Sequence, residues 1–182
     1  MVHPYTPFCS TFDYQGRYTY LLTCVTHERV RVFADAASVE LAVTHFLRAS
    51  REKSFELVAY CFMPDHVHVV VSALADESDL KAFTKLAKQY SGYYHARAHD
   101  GQRLWQHGSH DHIVRDDVDL LDRLRYVVNN PVAAGLVQRA EDYPFLGSQR
   151  WSRTELVERC RQGNLRHETP SLEQTAGFDS DL

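Results

Sequence analysis

The chain reads as an α+β domain, an antiparallel sheet with helices packed on one face, of the split βαβ kind. Three observations predict it. Tyr18–Thr26, Phe55–Phe62 and His66–Ala73 are runs rich in β-branched and aromatic residues, the mark of strands. Only Met63-Pro64-Asp65 separates the second run from the third, which fits an antiparallel hairpin. Helical periodicity fills the stretches between and after the strands, giving the order β-α-β-β-α, then short extended pieces and a further helix.

Before Tyr18 the chain carries Pro4, Pro7 and Gly16, which predicts coil. From Ala36 to Arg51, the apolar residues Val39, Leu41, Val43, Phe46 and Leu47 predict an amphipathic helix. In the hairpin, Pro64 fixes φ and Asp65 can bond its own backbone. Asp76 to about Ala98 is the second helix, with Leu80, Phe83, Leu86, Ala87 and Tyr90 inside. Lys81, Lys85 and Lys88 follow helical spacing and share an outer stripe. Such a stripe is an ordinary solvated face. It also suits phosphate contact, with Tyr90, Tyr93 and Tyr94 able to stack on unpaired bases. Leu104–Gln106 and His112–Arg115 are short extended pieces. Acids from Asp116 to Asp119 mark a helix start. That helix should end near Asn129, because Pro131 disfavours helical geometry just before it. Trp151–Cys160 predicts a last short helix, and the polar stretch from about Asn164 a disordered tail. Residues 1–150 thus form the domain and 151–182 a tail.

A length of 182 residues suits one domain. Met1-Val2-His3-Pro4 shows no basic region before an apolar core, so no secretory signal is expected. No apolar run approaches the ~20 residues that span a bilayer. Cys9, Cys24, Cys61 and Cys160 are scattered, which predicts reduced thiols in a cytoplasmic protein. The net charge of −4 speaks against a broad, non-specific DNA coat. Six acids against three bases from Glu155 onward leave the body closer to neutral, and a neutral body can present a local basic face.

His66 and His68 are two apart in a strand, so both imidazoles face the same way, with Cα atoms about 6.5–7 Å apart. Two imidazoles on one face suit a divalent cation; they are also an ordinary feature of half-exposed strands. Tyr126 and Asn130 share a helix face one turn apart. Asn130 can complete a cation's coordination with the Tyr126 hydroxyl beside it, or it can simply cap a helix that carries a core tyrosine. A separate group, His107, His110 and His112 with Asp111, would suit a zinc hydrolase, or would be a polar strand edge.

Pro64-Asp65-His66-Val67-His68, Trp105-Gln106, Asp111-His112-Ile113-Val114-Arg115, Tyr126-x-x-x-Asn130-Pro131-Val132, Ala134-Gly135-Leu136-Val137 and Tyr143-Pro144 resemble, in this order, the REP-associated tyrosine transposases. These belong to the HUH single-strand nucleases. The resemblance covers about residues 15–150. Ser148 follows Phe145-Leu146-Gly147 where that family often has Trp-Ser-Ser. The resemblance implies a ferredoxin-like sheet, the HUH nuclease fold. It implies paired metal ligands at His66 and His68, the nucleophile at Tyr126, and Asn130 in the third-ligand position. Asp111, His112 and Arg115 match a motif of site support or DNA contact. The cofactor implied is Mg²⁺ or Mn²⁺. The partner implied is single-stranded or hairpin DNA, nicked and rejoined through a 5′-phosphotyrosine without a nucleotide cofactor, by a bacterial protein acting as a monomer. The alternatives are a non-catalytic nucleic-acid binding module of the same fold and the zinc hydrolase.

Overall fold

The computed structural model describes residues 12–165. Expectations for Pro4, Pro7, Cys9 and the tail beyond Leu165 lie outside the described residues. Five strands form one antiparallel sheet: β1 (Thr19–Val25), β2 (Phe55–Met63), β3 (His66–Ala73), β4 (His110–Val114) and β5 (Leu146–Gly147). Their order is β4-β1-β3-β2-β5, with the predicted β2–β3 hairpin in the middle. Four helices accompany them: α1 (Ala36–Glu52), α2 (Leu80–Ala98), α3 (Asp117–Ala133) and α4 (Arg153–Gln162).

The helices start where a short polar side chain can take the first free amides. Asp35 accepts from Ser38 N, and Asp116 accepts from Asp119 N. Asp79 accepts from Lys81 N and Ala82 N, which is why α2 begins at Leu80 and not at Asp76. Ser152 and Glu155 form a reciprocal capping box on α4. α3 runs past Asn129 and takes in Pro131, which is buried. Its end is closed instead by Leu136 N donating to Pro131 O and Gly135 N to Val132 O, both at 2.9 Å. Gly135 sits at φ +70°, the left-handed position this ending requires.

The fold class is the α+β sheet expected, but the helices cover both faces. α1 and α2 pack on the face carrying Tyr20, Leu22, Val67, Val69 and Val71. α3 and α4 cover the opposite face, with Leu21, Ala59, Cys61 and Val70. The physical reason is that β2 and β3 are apolar on both sides. A bulge in β2 shifts the register between Leu57 and Ala59 and reverses the phase of the strand. Leu57 and Phe62 therefore reach the α1/α2 side, although their parity differs. The second core also moves the domain boundary. Trp151, Leu156, Val157 and Cys160 are buried in it, so the body continues through α4 and does not stop at residue 150. Among the described residues, no helix is long and apolar enough to cross a membrane.

Leu124 is fully buried in this second core, two residues before Tyr126. Leu124→Ala should cost about 2–5 kcal/mol in urea unfolding, through lost burial and the cavity it leaves.

Candidate active site

The β2–β3 hairpin sets the first half of the site. Val67, Val69 and Val71 point into the α1/α2 core, so His66 and His68 project from the other face, toward α3. The two rings meet through their Nε2 atoms, 3.1 Å apart. Each Nδ1 has another partner: His66 bonds Asp65 Oδ1 at 2.6 Å, and His68 bonds Thr23 Oγ1 of β1 at 2.8 Å. Thr23 lies directly across from His68 in the β1–β3 register.

Asp65 is itself held. Its second oxygen, Oδ2, accepts from Arg29 at 3.1 Å, and its carbonyl accepts from the backbone and hydroxyl of Thr26. Burial alone would raise the Asp65 carboxyl, but the hydrogen bonds and charges of His66 and Arg29 outweigh it and hold the group below its ordinary value. His68 is 5 % exposed. Burial, then neighbouring His66, pushes its ring down to about 3, so it is neutral at neutral pH. A neutral imidazole with its Nδ1 engaged is the state in which histidine ligates a metal.

α3 brings the second half. The Tyr126 hydroxyl lies 3.4 Å from His68 Nε2, and the ring is 48 % exposed, open to a substrate from solvent. Val127 and Val128 bury the other side of the helix. The start of α3 is fixed by Asp119, which contacts His112 Nε2 at 3.2 Å, Arg115 N at 3.1 Å and Arg123 Nε at 2.8 Å. The Arg123 bond, more than the other contacts, lowers the Asp119 carboxyl to about 2. Asp119 and Tyr126 are two turns apart on one side of the helix, so this hub fixes the register that aims the phenol.

The two Nε2 atoms fit a divalent cation, since ligands about 2.0–2.1 Å from one ion lie about 3 Å apart. Asn130 is one turn beyond Tyr126, as the spacing predicted, but its Nδ2 donates to the Tyr126 carbonyl at 2.9 Å. The amide is thus turned back on its own helix.

The remaining predicted residues are placed unevenly. His112 and Arg115 stand at the hub beside α3. Asp111 pairs with Leu22 and belongs to the opposite face, where burial raises its carboxyl against a hydrogen bond from Tyr14. Strand alternation separates it from His110 and His112 in the same way. His110 and His112 share the face opposite Asp111, but among the described residues no group of three His, Cys, Asp or Glu side chains could hold a metal, so the His107/His110/His112 zinc cage is not assembled. The lysine stripe lies on α2, across the sheet from the histidines. Lys81 and Lys85 are exposed beside an open groove of about 800 Å³. Lys88 is not on the stripe's outer surface: its Nζ donates to the carbonyls of Gln106 and Gly108, tying α2 to that loop. Sequence reasoning missed Thr23 and Arg29, which act through His68 and Asp65, remote in sequence, and Asp119, which reads as an ordinary helix-start acid until His112, Arg115 and Arg123 gather on it.

Similarity to known proteins bears on this arrangement. Residues 14–130 match the family described as "Transposase IS200 like". A Haemophilus influenzae protein provisionally named a REP-associated tyrosine transposase is 24% identical over 157 residues, covering 80% of this chain and 88% of the relative. The REP-associated tyrosine transposase of Escherichia coli K12 is 25% identical over 100 residues, covering 54% and 58%. A solved structure of a REP-associated tyrosine transposase bound to a REP hairpin superposes with a TM-score of 0.66 at 20% identity, covering 78% of this chain and 82% of that one; the likeness shows a shared fold.

Proposed function

Since the chain belongs to the IS200-like transposase family, with REP-associated tyrosine transposases as relatives, we propose that it nicks and rejoins hairpin DNA through a 5′-phosphotyrosine on Tyr126. The observation that carries this is the Tyr126 hydroxyl 3.4 Å from His68 Nε2, beside a pair of imidazoles whose Nε2 atoms converge. A solved relative is bound to a REP hairpin, which makes single-stranded or hairpin DNA the substrate class proposed.

His66 and His68 would hold Mg²⁺ or Mn²⁺, and Asn130, anchored through its amide nitrogen, would offer its carboxamide oxygen. The cation, when bound, would supply Lewis-acid stabilisation of charge on the scissile phosphate. Tyr126 does the covalent work. Its phenol oxygen bonds to phosphorus while the bond from phosphorus to the 3′ oxygen breaks, and the released 3′ oxygen ends as a hydroxyl. The phenol gives up its proton on the way. The phosphotyrosine retains the phosphodiester's energy, so another 3′-hydroxyl can reverse the step on a new strand without a nucleotide cofactor. Its exposure leaves Tyr126 free to approach the DNA.

Arg115 and His112, beside α3, are proposed to support the site or contact the strand. Asp111, Lys81, Lys85 and Lys88 sit on the far face of the sheet and would meet only DNA that passes round the β4 edge. The test is a 5′- or 3′-labelled hairpin incubated with the protein and Mn²⁺, run on a denaturing gel. A covalent adduct and a free 3′-hydroxyl are expected. Binding without an adduct would leave a non-catalytic binding module.

A further inference from the structure

Resting on the cation-binding reading above, we propose that Thr23 is a positioning residue for His68. Its hydroxyl, able both to donate and to accept, lets His68 turn its Nε2 lone pair to a cation. The two imidazoles differ in what holds their far nitrogens. Asp65 is an ionised carboxylate and can only accept, so it commits the His66 proton to Nδ1 and leaves His66 Nε2 bare. The opposed His68 Nε2, 3.1 Å away, must then carry a hydrogen when no cation is present, because two bare nitrogens would repel. In that state His68 Nδ1 is an acceptor, and Thr23 donates to it across 2.8 Å.

A cation shared by the two Nε2 atoms reverses the requirement. The His68 proton must then sit on Nδ1, which needs an acceptor there. A hydroxyl meets both needs by rotating about its own C–O bond, whereas a carboxylate serves only one. Solvent is no substitute, since His68 is 5 % exposed. The fixed partner on His66 and the reversible one on His68 together give a pair that is satisfied both before and after the ion arrives.

Mn²⁺ titration followed by electron paramagnetic resonance of the free ion tests this in the whole chain without DNA. Wild type, Thr23→Val, Thr23→Ser and the His66→Ala/His68→Ala double variant are compared, each with a thermal melt. Thr23→Val should weaken Mn²⁺ binding about ten- to a hundredfold. Thr23→Ser should restore it. In nitrogen-15 spectra of the free protein, Thr23→Val should keep His68 in its Nε2–H form. Wild-type affinity in Thr23→Val overturns the proposal. So does a loss that serine fails to restore while the melting temperature drops, since the role is then structural. If the double histidine variant binds Mn²⁺ as tightly as wild type, the cation reading itself is what fails.

Discussion

Tyr126→Phe removes the covalent protein–DNA adduct and lowers hairpin cleavage by about 10³-fold or more, the scale of losing a nucleophile. The substitution deletes one oxygen from a ring that is 48 % exposed, so stability should move by no more than about 0.5 kcal/mol. That separation makes the result readable: a folded protein, binding hairpin DNA with unchanged affinity, that no longer shifts on a denaturing gel. Survival of the adduct would move the nucleophile to another tyrosine. Among the described residues Tyr18, Tyr93 and Tyr94 are the other exposed tyrosines, but Tyr93 and Tyr94 stand on α2, across the sheet from the histidines, and the Tyr18 ring packs against Tyr20 of the α1/α2 face. An undiminished adduct would thus undo the assignment of the site as well as of the residue.

The second large effect belongs to the imidazoles. His66→Ala together with His68→Ala should abolish Mn²⁺-dependent cleavage, and EDTA should do the same to the wild type. The loss should again be about 10²-fold or more, because the charge that builds on the phosphate then lacks its counter-ion. Removing a buried ring also opens space beneath Tyr126, so the paired variant is to be compared with wild type in EDTA. The two should behave alike. Cleavage that proceeds at the same rate in EDTA would falsify the requirement for a cation and leave Tyr126 to act unaided.

What the sequence made legible was local. Pro64-Asp65 between two apolar runs announced a hairpin, and strand alternation put His66 and His68 on one face. Four-residue spacing put Asn130 one turn beyond Tyr126. Residues whose meaning depends on pairing were not legible. Thr23 is an unremarked β-strand threonine until the β1–β3 register sets it opposite His68. Asp111 and His112 are adjacent in a motif yet face opposite sides of the sheet, and nothing short of the β1–β4 pairing says which side is which. The same holds for α3. Its apolar stripe required burial, but β2 and β3, apolar on both faces, left open which face would receive it. Lys88 shows the converse. It fits an outer stripe by spacing, but two carbonyls in the loop after α2 draw it inward.

The phenol, both imidazoles and the groups that hold them all come from one polypeptide, with Asp119 anchoring α3 to the neighbouring strand. From this arrangement we propose that a single copy carries out the cleavage step. Diluting the protein under excess hairpin should leave turnover per molecule constant, with no loss as copies drift apart. Only the rejoining half of the cycle then depends on encounter, and what it must encounter is a second DNA end.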